Sequence, residues 1–189
     1  GQVVLDDVHP GPGRARQLAP QASVLVLDRD RGGGSAFRPV RDADHDVLAV
    51  APYYQSVREK FARDMHVIAD VPVEMSGKYF HIRVMGAAIE PRFTVAFVDA
   101  SVFSERDGIY HGPRGDDFSD NHWRYALFGM VAERLPKVLG FTPHVYHLND
   151  WQCGMAAYYH RRDWGARPIV ATIHNIVYIP IIISILTTK

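Results

Sequence analysis

The chain has 189 residues, a length that suits one domain of ordinary size or one and a fraction. With 47% hydrophobic and 22% charged residues its composition is globular, which excludes wholesale disorder. The 21 Lys and Arg balance 21 Asp and Glu, and a pI near 7.3 excludes the basic footprint of a nucleic-acid or anionic-membrane binder. The single cysteine, Cys153, rules out an internal disulfide framework and fits a reducing compartment. No N-terminal stretch joins a basic start to a long apolar run, so no secretory signal is expected. The expectation is a soluble cytoplasmic chain that does not enter a membrane.

Residues 1–45 carry Pro10, Pro12, Pro20 and Pro39, the run Gly32-Gly33-Gly34, and many Arg and Asp. They offer little apolar surface against the entropy of ordering, so a poorly ordered segment is expected, with one short strand at Ser23–Leu27. From Asp46 the text changes. Val47–Ala51, closed by Pro52, reads as a buried strand. His66–Glu74 and Tyr79–Val84 alternate apolar and polar residues and read as a hairpin turning at Ser76-Gly77. Thr94–Asp99 reads as another buried strand, and 108–117 as a loop rich in Gly and Asp. Ser119 or Asp120 caps a helix running to about Leu139, with Gly140 as its stop. Its apolar positions Trp123, Ala126, Leu127, Met130, Val131 and Leu135 keep helical spacing. His144–Leu148, then a helix from Trp151 to about Arg161, then Pro168–Ile173 form a strand–helix–strand unit. Such units give parallel strands with a right-handed crossover, so the fold class is α/β with a Rossmann-like, doubly wound, mainly parallel sheet. The apolar tail Ile176–Leu186, broken by Pro180, is too short for a bilayer span of about 20 residues and reads as a β-prone segment.

Ligands of open parallel sheets bind beyond the carboxyl ends of the strands. Two sequence segments occupy such places: Asn149-Asp150-Trp151-Gln152 and His174-Asn175. The crossover puts Asp150 and His174 at one crevice, where a carboxylate and an imidazole suit sugar hydroxyls, each both donor and acceptor. The plainer readings are a helix N-cap for Asp150 and a backbone-satisfied imidazole for His174. His144 and His147 stand three apart on a strand, face opposite ways, and cannot share a metal. Asp28-Arg29-Asp30 and Asp42-Ala43-Asp44 lie in the polar N-terminal stretch, where that spacing arises by chance. Arg31-Gly32-Gly33-Gly34-Ser35 lacks the Lys-Ser/Thr ending of a phosphate loop and reads as a linker. Cys153 reads as a packed small residue.

Several blocks, in order over some 130 residues, resemble the N-terminal domain of bacterial glycogen synthases and plant starch synthases. They are His45–Tyr54; Phe97-Val98-Asp99, Phe103, Arg106 and Gly108-Ile109-Tyr110; Asp120-Asn121, Arg124-Tyr125 and Phe128; His147–Gln152; and Thr172–Asn175. The resemblance implies a two-domain GT-B glycosyltransferase. It would transfer glucose from ADP-glucose to the non-reducing end of an α-1,4-glucan, with retention and with no metal or cofactor. By this resemblance Asp150 lies beside the sugar and His174 near its hydroxyls and the reacting carbon. Tyr110 lines the acceptor side, His147 and Trp151 shape the crevice, and Asn175 packs the same turn. A plant member would act in the plastid.

The ends depart from the family. Residues 1–45 do not reproduce its first strand and Lys-x-Gly-Gly-Leu loop, and 179–189 are unlike its continuation. The expected division is therefore an atypical segment 1–45, a partial catalytic-type domain 46–178, and an apolar tail 179–189. A truncated synthase is the first expectation. The alternative is a non-catalytic α/β fragment that at most binds glucan or a protein partner.

Overall fold

A computed structural model describes residues 22–26, 45–163 and 167–173. The strands are β1 (Ala22–Val26), β2 (Asp46–Pro52), β3 (His66–Met75), β4 (Lys78–Glu90), β5 (Phe93–Asp99), β6 (Val145–Asn149) and β7 (Ile169–Thr172). The helices are α1 (Gln55–Phe61), α2 (Ser101–Ser104), α3 (Asn121–Val138) and α4 (Gly154–Asp163). One seven-stranded sheet has the order β3-β4-β5-β2-β1-β6-β7. From β5 to β7 every pairing is parallel, whereas β4 runs antiparallel to both β3 and β5. Counting only the five parallel strands in chain order, the sequence across the sheet is 3-2-1-4-5, the Rossmann order. The β3–β4 hairpin extends it at one edge.

The strand expected at Ser23–Leu27 forms at Ala22–Val26 and lies at the middle of the sheet. Its Val24 is in register with Leu48 on one side and Tyr146 on the other. The sheet thus takes in a strand from the stretch read as poorly ordered. The rest of 1–44 and the tail 179–189 lie outside the described residues, and so do the Asp-x-Asp pairs and the glycine run.

The hairpin turns at Ser76 (φ 54°) and Gly77 (φ 70°), two successive left-handed residues that match the twist of the flanking strands. Strand β4 continues six residues past the expected Val84. Met85–Glu90 lacks the alternation that marks a strand, yet its backbone pairs with β5, with a bulge between Ala88 and Glu90. Strand β3 is a sheet edge. Within it Pro72 has no N–H, and its carbonyl accepts a bond of 2.8 Å from Arg134 on α3.

Leu48, Val50, Val84, Val98, Tyr146 and Leu148 meet Leu127, Phe128, Val131 and Leu135 of α3 in the main core. Val47 and Ala49 point to the other face and are buried there with Phe93 and Val95 packed on them. Residues on both faces of β2 are thus buried, as in a doubly wound sheet. Helix α3 ends as expected: Gly140 is left-handed (φ 67°), and Phe141 N–H closes on Pro136 O at 2.8 Å. Asp120 occupies the N-cap without a side-chain capping bond. Its carboxylate instead takes both ends of the Arg106 guanidinium at 2.6 and 2.7 Å, which holds its pKa below the usual carboxylate value.

Helices α3 and α4 cross at Gly129. A methyl group there would lie 2.7 Å from Ala156 N and 3.0 Å from the Met155 carbonyl carbon, so only glycine permits this approach. Beside the crossing, Glu133 and His160 are both buried, 4.0 Å apart, and the His160 ring lies 4.3 Å from that of Tyr146. Burial pushes the His160 pKa down from 6.5, and it pushes the Tyr146 hydroxyl up, with the Glu133 charge adding to the latter.

Two outcomes follow from this packing. Gly129→Ala is expected to destabilise by about 1–3 kcal/mol, read as a fall in thermal midpoint of roughly 2–4 °C per kcal/mol. A buried imidazole held neutral favours folding above its unfolded pKa of about 6.5 and loses that advantage as pH falls toward its lower folded value. Urea midpoints are therefore expected to drop on acidification below about pH 6.5, and less steeply in His160→Gln.

Candidate active site

In the strand order described, neighbouring connections leave in opposite directions between β1 and β6. At such a reversal the carboxyl ends of the strands open a crevice. Asp150 follows β6 directly at that edge. Its backbone has φ 63° and ψ 178°, a region essentially reserved for glycine. Two bonds hold it there: its N–H donates to Thr172 O across the β6–β7 edge (2.8 Å), and its carbonyl accepts from Cys153 N–H (3.2 Å). No side-chain capping bond from Asp150 is formed, so its position is not accounted for by a cap. The chain then makes a 3-10 turn, Trp151–Cys153, before α4, where a continuous helix from Trp151 was expected. Cys153 is fully buried and its thiol donates to Asn149 O at 2.9 Å, in keeping with a packed residue.

Around this turn the aromatic side chains gather. The Trp151 ring stands edge-on to Tyr125 at 5.2 Å and 6.2 Å from Tyr110. Tyr110 comes from the 108–117 loop, more than 30 residues earlier, and is fixed from several sides. Its carbonyl accepts from Phe118 N–H (2.9 Å) and from the Asn121 amide (3.0 Å), and its hydroxyl meets the Gln152 side-chain amide. The Tyr125 hydroxyl lies 3.0 Å from that of Tyr54 and 3.3 Å from Ile109 O, which ties the loop to the end of β2. Arg124 anchors the same loop. Its buried guanidinium lies over Phe103, Phe118 and Tyr125 at 4.9–5.3 Å and donates to Asn121.

His147 is half-buried on β6, and its Nε2 lies 2.7 Å from the Thr172 hydroxyl of β7. The ring therefore braces the two strands whose ends carry the site. His144 stands just before β6, not within it. Of the residues singled out from the sequence, Tyr110, His147, Asp150 and Trp151 are all placed at or beside the ends of β6 and β7. His174 and Asn175 lie outside the described residues. Sequence reasoning gave no role to Gln152 or Tyr125. Their presence in the blocks of the resemblance was the available signal, while the bond from Gln152 to Tyr110 spans 42 positions and has no local signature. Among the described residues no group of three His, Cys, Asp or Glu side chains is arranged to hold a metal. No helix among them is long and apolar enough to cross a membrane.

The strain at Asp150 has a measurable consequence. Relieving the Cβ clash is worth about 1–3 kcal/mol, so Asp150→Gly is expected to be more stable than Asp150→Ala by about that much in denaturant titrations. Equal stabilities would show that the left-handed backbone carries no strain.

A family model described as the starch synthase catalytic domain matches residues 37–182. The glycogen synthase of Syntrophotalea carbinolica is 32% identical over 141 residues, covering 71% of this chain and 28% of that protein. That of Myxococcus xanthus is 32% identical over 144 residues, covering 71% and 29%. The chain thus spans less than a third of the length of these relatives. Among solved structures, the catalytic domain of starch synthase IV from Arabidopsis thaliana, bound to ADP and acarbose, superposes with a TM-score of 0.66 at 18% identity. That superposition covers 84% of this chain and 34% of the other, and it establishes the Rossmann-like α/β fold of a GT-B catalytic domain. The family model spans most of the sequence and includes both β6, which Asp150 follows, and β7, which carries Thr172, so the chain belongs to the glycogen and starch synthase family.

Proposed function

We propose that this chain forms one wall of the cleft of a retaining glucosyltransferase, which transfers glucose from ADP-glucose to the non-reducing end of an α-1,4-glucan. The observation that carries this reading is the clamped, left-handed Asp150 at the sheet's reversal point, with Trp151 and Tyr110 beside it. Strain of this kind concentrates where a side chain must be held for a ligand. In this reading residues 46–178, together with the central strand β1, form the catalytic-type domain. The ADP bound in the Arabidopsis relative and the glycogen synthase names of the bacterial ones support the choice of substrates.

Each residue then has a task. The Asp150 carboxylate accepts hydrogen bonds from hydroxyls of the glucose unit that lies beside it in the crevice, and its clamped backbone removes the cost of orienting it. The role that the resemblance gives His174 is to hold a sugar hydroxyl. Trp151 and Tyr110 give apolar ring surface to the acceptor, and the Gln152 amide fixes the Tyr110 hydroxyl. His147 keeps β6 and β7 together through Thr172. No metal or cofactor takes part. The leaving diphosphate requires donors that develop their strength as its charge grows. The resemblance assigns these to a Lys-x-Gly-Gly loop and to a second domain, neither of which these 189 residues reproduce.

The test is titration of the 189-residue chain with maltopentaose, followed by tryptophan emission. Saturable binding is expected, weakened at least about tenfold in Asp150→Ala, since a hydrogen bond to a charged group is worth about 1.5–3 kcal/mol. No saturable change, or an unaltered affinity in the variant, overturns the reading. Incorporation of labelled glucose from ADP-glucose into glycogen by these residues alone is expected at background. A single lost donor already costs roughly 100- to 1000-fold in rate.

A further inference from the structure

The two margins of the sheet differ in chemistry. At one, β3 carries Pro72 and is guarded by Arg134. At the other lies β7, and among the described residues β6 is the only strand paired with it. Tyr146 N–H donates to Pro168 O at 3.0 Å and Asp150 N–H to Thr172 O at 2.8 Å, so Pro168, Val170 and Thr172 turn their main-chain groups toward β6. Main-chain direction alternates along an extended chain. Ile169, Ala171 and Ile173 therefore turn N–H and C=O away from the sheet.

The segment Ile169-Val170-Ala171-Thr172-Ile173 has none of the devices that blunt an edge. It holds no charge and no proline, and its register with β6 is regular. Val170 and Ile173 are 49% and 42% exposed although both are apolar, and Ala171 is exposed between them. The segment is also nearly symmetric, with isoleucine at each end, a β-branched residue inside each end and alanine in the middle. An antiparallel copy of itself, related by a two-fold axis at Ala171, fits this edge. Ala171 then faces its own counterpart, and Ile169 faces Ile173 of the second copy. Each couple is a hydrogen-bonded pair made from groups that already point outward. Val170 meets Thr172 of the second copy on the other face, and no like charges oppose one another.

We infer that β7 is a self-association edge, on which a second copy of this chain adds antiparallel to form one sheet across two molecules. A contact of this kind uses the same patch on both copies, so the assembly closes at two. The axis sends the carboxyl ends of the two β7 strands opposite ways, and the two Asp150 crevices open at opposite ends of the joined sheet. The inference stands apart from the function proposed above. One short strand buries less than the roughly 1,200 Å² that marks weak encounters. Association is therefore expected only at high concentration, half complete near about 100 µM.

Sedimentation of the 189-residue chain over a concentration series tests this, with a monomer–dimer equilibrium expected and no larger species. Ala171→Pro removes an N–H that the single molecule does not use in its sheet, and it is expected to sediment as monomer throughout while keeping its thermal midpoint in dilute solution. Ala171→Cys guards against misfolding of that variant and reads the register. Residues facing each other in a hydrogen-bonded pair lie about 5.5 Å apart at Cα, within disulfide reach. On mild oxidation Ala171→Cys is expected to link covalently at least about tenfold faster than Val170→Cys, which faces Thr172 of the second copy. The native Cys153 is buried and does not compete. A chain that stays monomeric up to about 1 mM, a dimer that survives Ala171→Pro, or equal linking by the two cysteine variants overturns the inference.

Discussion

Of the 18 residues of α3, 11 are buried, so the helix has almost no face to give to water and each neighbour is set by a different part of it. Gly129 admits α4 to backbone contact, and Tyr125 reaches the end of β2 through Tyr54. Arg124 holds the loop that carries Tyr110, and Arg134 reaches out to the edge strand β3. An enclosed helix of this kind cannot shift without disturbing the sheet extension, the crossover and the aromatic cluster together. The burial of Glu133 and Arg124 adds to that coupling. Charged groups taken out of water leave a large penalty if a partner moves away.

The site depends on this enclosure through a short chain of contacts. The α3–α4 crossing sets where α4 begins. The turn before α4 then has three residues in which to leave β6 and close on Asp150 O. The left-handed Asp150 is the result of that short path combined with the bond from its N–H to β7. A glycine would take this conformation at no steric cost. An aspartate there means that strain is retained alongside a carboxylate at the sheet's reversal point.

The sequence carried this architecture unevenly. Strands β2, β3 and β5 and the crossover through α4 were legible because each is a short apolar or alternating run with a turn residue at its end. Helix α3 was legible from its spacing, but not its near-complete burial, since it includes Arg124 and Glu133, residue types that ordinarily stay at the surface. The central place of β1 was hidden by its polar, proline-rich flanks. Helices α1 and α2 have too few buried residues to leave a periodic trace. At the site, Asp150 and Trp151 could be located from their place after a strand, because the rule for parallel sheets depends only on topology. The positive φ of Asp150 could not, because aspartate at a helix start looks like an ordinary cap. The link from Gln152 to Tyr110 depends on how a distant loop folds back, which no local pattern encodes.

Edge strand β3 bears on how the molecule behaves among its own copies. A ten-residue strand at the margin of a sheet ordinarily offers a row of N–H and C=O groups on which another chain can add itself. Here the seventh residue is Pro72, which has no hydrogen to donate, and its carbonyl is already taken by Arg134. An incoming strand would find both groups missing within the template and a guanidinium in its path. A side chain that secures the long helix to the sheet thereby also closes the margin to growth, so at high concentration the molecules should remain separate along β3.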